Sequence, residues 1–164
     1  MVDITNIVIA GLGGQGVIKA SDMLSYAAFL AGHDVKKAEV HGMSQRGGSV
    51  TSDVRFGDRV LSPMVPPGEA DYLVVLEETQ VEPARHCLRA NGVLLHEGMI
   101  DRAKLPTAKA LNVAMMGMLS AFLRIPEDVW RKAIFEYLPA KLHDANAAAF
   151  ALGRATADKE KHHD

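Results

Sequence analysis

The sequence predicts an α/β domain with three layers, α/β/α, in which a Rossmann-like and mostly parallel sheet carries a β-hairpin and is followed by a helical C-terminal part. Short apolar runs alternate with segments of helical composition, and this alternation favours parallel strands joined by helices. Ile4 to Ala10 is one such run, rich in β-branched residues and followed by glycines. Tyr72 to Leu76 is continuously apolar, which is typical of a strand buried on both faces. We therefore expect this second run near the centre of the sheet.

The elements between these two runs follow from local composition. Val17 to Ala31 has helical composition and stops at a glycine, and Asp34 to Val40 is a candidate second strand. From Ser49 to Phe56 apolar and polar residues alternate, which indicates a strand with one buried face. Gly57-Asp58 can form a tight turn into Arg59 to Ser62, so the hairpin is predicted there.

The second half of the chain is predicted to be mainly helical. Glu82 to Ala90 is interpreted as a helix, and Val93 to His96 as a further buried strand. Asn112 is expected to cap a methionine-rich helix. Helices are predicted over 113–123, from Pro126 to about residue 138, and from Asp144 or Asn146 to near Gly153. Residues 97–111 show no clear pattern. We expect one domain over residues 1–157 and a charged, frayed tail over 158–164.

Composition limits the partners and cofactors that the chain can bind. The 164 residues are 48% hydrophobic and carry a formal net charge of only -2, so we expect a buried core and no nucleic-acid partner. Cys87 is the single cysteine, which excludes an internal disulfide and the usual four-thiolate iron–sulfur cluster. No metal site is predicted. The N-terminus lacks a basic segment and no apolar run approaches the ~20 residues needed to cross a bilayer, so we expect a cytoplasmic protein without membrane contact.

A glycine-rich motif follows the first strand. It has the pattern G-x-G-x-x-G and comprises Gly11, Leu12, Gly13, Gly14, Gln15 and Gly16. Glycines at this position let backbone N–H groups approach a phosphate at the positive end of a helix. Glu39 lies near the end of the second strand, where a dinucleotide-binding domain places its ribose-binding acid. Glycines at a first β-α turn also serve simply to pack a helix on a strand, so the motif alone leaves dinucleotide binding open.

A polar loop follows the second strand and provides further candidate ligand-binding residues. Its candidates are His41, Gly42, Ser44, Gln45, Arg46, Gly47 and Gly48. Ligands of open α/β sheets bind at the carboxyl ends of the strands, so this loop and the glycine-rich motif should share one crevice. Arg46 is suited to clamp a carboxylate or phosphate, and His41 to exchange a proton. A surface loop with well-satisfied hydrogen bonds remains the alternative.

Three ordered motifs resemble a known family. They are Gly11-Leu12-Gly13-Gly14-Gln15-Gly16-Val17, the run from Glu39-Val40-His41-Gly42 through Gly48-Ser49-Val50, and Val54-Arg55-Phe56-Gly57 with Ser62-Pro63. Together they resemble the gamma-type domain of 2-oxoacid:ferredoxin (acceptor) oxidoreductases, most closely the beta subunit of the indolepyruvate type. The likeness continues through the Asn112 helix and Asn146, so it covers most of the chain. Between His96 and Asn112 the chain is shorter than is usual in the family.

The resemblance implies a small subunit of a thiamine diphosphate-dependent oxidoreductase. Such enzymes decarboxylate indolepyruvate or another 2-oxoacid, pass electrons to ferredoxin and transfer the acyl group to coenzyme A. Thiamine diphosphate, Mg²⁺ and the iron–sulfur clusters are expected in a larger partner subunit, within an oligomer, and this chain is not expected to be active alone. The two glycine-rich loops and Asn112 would contact a cofactor or substrate. No catalytic residue is identified.

Two other interpretations remain. The first is a free-standing NAD(P)-dependent dehydrogenase that uses Gly11 to Gly16 and Glu39, and it predicts activity without a partner. The second is a non-catalytic assembly module, in which replacing Arg46 changes assembly but not turnover of the assembled complex.

Overall fold

The computed structural model describes residues 3–41 and 48–162 and contains one five-stranded mixed sheet. The strands are β1 (Ile4–Leu12), β2 (Asp34–His41), β3 (Ser49–Gly57), β4 (Ala70–Val75) and β5 (Leu88–His96), in the order β2-β3-β1-β4-β5. β1 is parallel to β4 and β4 to β5, whereas β3 is antiparallel to both of its neighbours. The carboxyl ends of β1, β2, β4 and β5 therefore meet at one edge of the sheet.

The helices cover the two faces of the sheet unequally. They are α1 (Val17–Leu30), α2 (Val81–Ala84), α3 (Leu111–Ser120), α4 (Glu127–Glu136) and α5 (His143–Lys161). Ile7 and Ile9 share one core with the four long helices, while Val8 and Ala10 point to the other face. That second face packs against α2 and the coil around Val65. The predicted α/β fold with a helical C-terminal part is confirmed, with one thick and one thin outer layer. No helix of the described residues is long and apolar enough to span a membrane.

The hairpin lies one strand earlier than predicted. β3 forms the hairpin with β2, and residues 58–69, between β3 and β4, form no strand. Instead these residues cross the face of the sheet that packs against α2, where side chains of β3 form hydrogen bonds with their backbone. Asp53 Oδ2 accepts a hydrogen bond from Val65 N at 2.9 Å, and Arg55 Nη1 donates to Ser62 O at 2.8 Å. Because these side chains satisfy the backbone of the coil, the segment covers the sheet without joining it.

Two predicted helix boundaries are wrong for identifiable reasons. The helix predicted over 82–90 ends at Ala84, because Leu88 already begins β5 and pairs with Ala70 of β4. Asn91, with φ +66°, takes the left-handed conformation near the register shift in this pairing, so strand pairing overrides the local helical preference. The last helix continues beyond Gly153 through Lys161, four residues into the segment predicted as a tail. The Lys161 ammonium lies 4.4 Å from the centre of the Phe122 ring and anchors this end.

Helices α3 and α5 touch through their backbones. A Cβ atom added to Gly153 would lie 1.8 Å from Ala114 O, and one added to Gly117 would lie 2.1 Å from Phe150 O. These distances leave no room for any side chain at either crossing point. The close approach buries the methionines of α3 completely, with Met115, Met116 and Met118 all at 0% exposure. The first turn of the same helix carries Asn112.

Candidate functional site

The glycine-rich turn connects β1 to α1 at the carboxyl edge of the sheet. Gly14 and Gly16 have φ values of +88° and +84°, which side chains rarely allow. Gly13 N donates a hydrogen bond to Gly48 O at 2.9 Å, so this turn touches the end of the second loop. The two loops follow strands that are not neighbours, because β3 lies between β1 and β2. They reach the same edge because β1 and β2 run in the same direction.

Most of the second loop lies outside the described residues. This applies to Gly42, Ser44, Gln45, Arg46 and Gly47, and to the side chain of His41. Their predicted contacts with a ligand therefore stay predictions. Gly48, the last member of the loop, lies beside the glycine-rich turn.

Asn112 contacts the glycine-rich turn from the start of α3. It does not cap the helix as predicted, because α3 already begins at Leu111 after a 3-10 turn that Thr107 initiates by accepting from Lys109 N. The Asn112 side chain instead donates from Nδ2 to Gly16 O at 3.4 Å. A Cβ atom on Gly16 would lie 2.4 Å from that Nδ2. The beginnings of α1 and α3 are thus packed directly on each other.

Gln15 joins the glycine-rich turn to the end of β4. Its Oε1 accepts from Leu12 N at 2.7 Å, and its Nε2 donates to Glu77 Oε2 at 2.8 Å. The polar contacts continue towards β5, where Glu97 Oε1 accepts from Glu78 N at 2.8 Å. The other oxygen of the buried Glu97 pairs with the guanidinium of Arg102. A line of polar contacts therefore runs along this edge from β1 to the segment after β5.

A groove of about 550 Å³ opens beside the turn. Cationic side chains line it without any carboxylate among the described residues, and an apolar wall comes from α3 and the ends of α4 and α5. The lining comprises Gly14, Gln15, Gly16, Lys19, Arg102, Thr107, Ala108, Lys109, Ala110, Leu111, Asn112, Leu138, Leu142 and Asn146. Lys19, Lys109 and Arg102 give the groove a positive potential, and only Arg102 is partly neutralised among the described residues, by Glu97. The groove is suited to an anionic ligand that also carries an apolar part.

Backbone donors add to this positive character. Gly16 precedes α1 with no side-chain cap, and the first N–H groups of a helix have no partner within it. Val17 N, Ile18 N and Lys19 N donate to no acceptor in residues 3–41 and 48–162. A second depression of about 430 Å³ exposes the same turn on the side of Val50. Donors at a helix start together with nearby lysines are the usual surroundings of a bound phosphate or carboxylate.

Glu39 lies away from this groove. It sits on β2, separated from β1 by β3, so about 10 Å of sheet intervenes at the usual strand spacing. Its carboxylate accepts from Lys37 Nζ at 2.7 Å, and Lys37 also pairs with Asp22. Burial acts to lower the pKa of Lys37, but the hydrogen bonds to Asp22 and Glu39 outweigh it and raise the pKa above its ordinary value. This engaged carboxylate argues against the ribose-binding role that dinucleotide binding needs.

Several residues of the groove were not identified from the sequence. Lys19, Arg102, Thr107 and Lys109 belong to no recognisable motif, and the last three lie in the segment that showed no pattern. The cationic and hydroxyl side chains of 102–109 were a usable signal, because they follow directly after a strand that ends at the ligand edge. In the described part of the chain, no three His, Cys, Asp or Glu side chains come together as metal ligands would.

The sequence of this chain is similar to proteins of one known family. Residues 6–110 match the model of the family described as pyruvate ferredoxin/flavodoxin oxidoreductase. The indolepyruvate oxidoreductase subunit IorB of Archaeoglobus fulgidus is 32% identical, over 90% of this chain and 92% of that protein. IorB of Pyrococcus horikoshii is 37% identical, over 84% of this chain. The chain spans only 66% of that relative's length and 59% of its counterpart in Thermococcus kodakarensis.

Solved structures show the same fold. A keto/oxoacid ferredoxin oxidoreductase gamma subunit from Geobacter sulfurreducens superposes with a TM-score of 0.81 at 23% identity, covering 94% of this chain and 99% of that one. The pyruvate oxidoreductase subunit PORC of Thermotoga maritima gives a TM-score of 0.76 at 25% identity, covering 93% and 96%. The family match extends over most of the chain and includes both the glycine-rich turn and the cationic segment after β5. This chain therefore belongs to the pyruvate ferredoxin/flavodoxin oxidoreductase family.

Proposed function

We propose that this chain is the small subunit of a thiamine diphosphate-dependent 2-oxoacid:ferredoxin oxidoreductase, and that its groove forms part of a composite active site with a larger subunit. The observation that carries the proposal is the cationic groove beside the glycine-rich turn, in a chain of this family. Indolepyruvate or a related 2-oxoacid is the proposed substrate, because IorB proteins are among the most similar relatives. Ferredoxin is the proposed electron acceptor, and coenzyme A the acyl acceptor.

The residues of this chain suit binding rather than redox chemistry. One cysteine does not supply the four thiolates that a typical iron–sulfur cluster takes. The described residues also bring no acidic metal-ligand group to the groove, as the Mg²⁺ that accompanies a diphosphate requires. We therefore place thiamine diphosphate and the clusters in the partner. When bound there, thiamine diphosphate supplies the carbanion chemistry that decarboxylates the 2-oxoacid.

The groove would hold an anionic part of a substrate at the subunit boundary. Lys19 and Lys109 are positioned to neutralise a phosphate or carboxylate, and the N–H groups at the start of α1 can donate to its oxygens. Leu111, Leu138 and Leu142 offer an apolar surface that keeps water from the less polar part of the ligand. Coenzyme A combines phosphates with an uncharged arm, so its chemistry fits this combination.

The first test is reconstitution. We expect the chain purified alone to show no 2-oxoacid-dependent dye reduction. Co-expression with a large, thiamine-binding chain encoded beside it should restore that activity, because the redox groups are then present. The measurement is anaerobic reduction of a viologen dye with indolepyruvate, pyruvate or 2-oxoglutarate, with and without coenzyme A. Oxidation of a substrate by the lone chain with NAD or NADP would instead support the dehydrogenase interpretation.

The second test addresses the loop between β2 and β3. Arg46 is the one arginine of that loop, and replacing it with alanine should remove a charge-assisted pair with an anionic group, worth about 1.5–3 kcal/mol. At 1.36 kcal/mol per tenfold, kcat/KM of the complex should fall about tenfold to a hundredfold while the subunits still assemble. Steady-state kinetics and gel filtration measure the two quantities separately.

The matched control is Arg131→Ala. Arg131 is exposed on α4 and pairs only loosely with Glu127, at 3.6 Å, so its loss should leave kcat/KM unchanged. Unchanged kinetics in Arg46→Ala together with impaired assembly would favour the interpretation of the chain as an assembly module.

A further inference from the structure

Gln15 lies just beyond the last paired residues of β1 and β4, and its side chain continues the hydrogen-bond ladder between these strands. β1 and β4 pair up to Ala10 and Val75, and Leu76 N then donates to Ala10 O at 2.8 Å. In a regular parallel pair the next bond would run from Leu12 N to the β4 side. Here Gln15 Oε1 accepts from Leu12 N instead, at 2.7 Å. The Gln15 side chain thus replaces one rung of the ladder.

The Nε2 end of the Gln15 amide is also held by a hydrogen bond. Gln15 Nε2 donates to Glu77 Oε2 at 2.8 Å, two residues after the end of β4. The carboxylate of Glu77 accepts only, so it determines which end of the Gln15 amide faces Leu12. Thr79 Oγ1 approaches the second oxygen of Glu77 at 3.4 Å. The Gln15 side chain is therefore oriented from both sides, and it is half-buried in this position.

The tether fixes the part of the turn that faces the groove. Gln15 bonds to Leu12, and only Gly13 and Gly14 lie between them, two glycines whose backbones can adopt many conformations. Gln15 N also donates to Leu12 O at 3.2 Å, so the turn is closed by both the backbone and the side chain of Gln15. Gly14, Gln15 and Gly16 line the groove directly.

We propose that Gln15 is a positioning residue, whose amide, oriented by Glu77, holds the glycine-rich turn in the conformation that binds the anionic ligand. The inference rests on the proposed function for the identity of that ligand, but not for the existence of the tether. Gln15 positions the backbone around it, and it exchanges no proton and forms no covalent bond. Its loss should therefore weaken ligand binding more than it slows turnover.

The decisive experiment exchanges the amide of Gln15 and the carboxylate of Glu77 between the two positions. Gln15→Glu keeps the acceptor for Leu12 N but sets a carboxylate against Glu77, so the turn should shift. Glu77→Gln keeps an acceptor for Gln15 Nε2 and should have a smaller effect. The double variant Gln15→Glu/Glu77→Gln restores a donor facing an acceptor and should recover most of the loss. The expected pattern is a rise of about tenfold in KM for coenzyme A in Gln15→Glu, with kcat within about twofold of wild type.

Gln80→Glu is the matched control at the same sheet edge. Gln80 accepts from Ser49 Oγ at 2.7 Å, and a glutamate can still do so, so KM should stay at the wild-type value. An unchanged KM in Gln15→Glu, or a double variant no better than the single one, would overturn the inference. A measurement that does not require activity is amide hydrogen exchange of Leu12 in the 164-residue chain. Exchange should be faster in Gln15→Glu and return towards wild type in the double variant.

These outcomes separate the inference from the proposed function. If the wild-type complex oxidises no 2-oxoacid, the proposed function fails, while hydrogen exchange at Leu12 still tests the tether. If the wild-type complex is active and Gln15→Glu binds coenzyme A normally, the positioning role fails and the proposed function stands.

Discussion

Gly153→Ala should lower the stability of the chain more than any other single methyl addition in its helices. The new Cβ would lie 1.8 Å from Ala114 O and 2.8 Å from Met118 N, and both are backbone atoms that no rotamer change can move. Helix α5 would have to separate from α3, which opens the packing around Phe150 and the buried methionines. Overpacking of this kind costs about 3 kcal/mol or more, whereas the better helix propensity of alanine returns only about 1 kcal/mol.

The net loss should appear as a lower melting temperature. A domain of this size loses roughly 2–4 °C per kcal/mol, so we expect a fall of about 4–8 °C or more by circular dichroism or calorimetry. Gly98→Ala is the matched control, because its Cβ would meet only the ring of His96, at 3.0 Å. That ring is the end of a side chain that can rotate away at the loss of one hydrogen bond, which its Nδ1 accepts from Gly98 N at 3.2 Å. A melting temperature of Gly153→Ala within 2 °C of wild type would show that α3 and α5 are not in backbone contact.

The sequence predicts the core of this fold well because the core depends on periodicity. The apolar run of β4 is buried, and Val50, Val54 and Phe56 lie on one buried face of β3 as predicted. Asp53, on the face of β3 predicted to be polar, is buried as well, because the coil around Val65 covers it. The predicted methionine-rich helix is present as α3 and is buried in the core. What the sequence does not encode locally is strand order. Nothing in residues 49–57 indicates insertion between β1 and β2, because that choice depends on pairing between segments distant in the chain.

The candidate site is predictable to a similar degree. The glycine-rich turn is identifiable because positive φ angles require glycine at Gly14 and Gly16. Asn112 was predicted to cap α3, and the structure shows that it contacts Gly16 instead. Arg102 and Lys109 reach the groove through short 3-10 turns that carry no periodic signal. Their composition after β5 is the only sequence signal for them, and the fold shows how they reach the start of α3.

Gly16→Ala should have the largest effect on activity, because two independent constraints require glycine there. At φ +84° an alanine costs about 1–2 kcal/mol, and its Cβ would also lie 2.4 Å from Asn112 Nδ2. Relieving that overlap moves the start of α1 away from α3 and displaces the N–H groups that face the groove. A displacement near 1 Å costs about a hundredfold in rate when it misplaces a binding group. We therefore expect kcat/KM of the assembled complex to fall about a hundredfold.

The two constraints on Gly16 can be separated by second variants. Asn112→Ala removes the amide that the new methyl group meets but leaves the backbone strain, so Gly16→Ala/Asn112→Ala should be more stable than Gly16→Ala. Gly14→Ala is the control for strain alone, because it has a similar φ of +88° and its Cβ would meet no atom of residues 3–41 and 48–162 within 4 Å. Adding Asn112→Ala to Gly14→Ala should restore no stability, since a Cβ atom on Gly14 would not contact Asn112. Thermal melts of these variants, with Asn112→Ala as reference, test the contact between α1 and α3 directly. Equal losses in Gly14→Ala and Gly16→Ala, with no recovery in the double variant, would mean that the strained backbone alone accounts for the glycine.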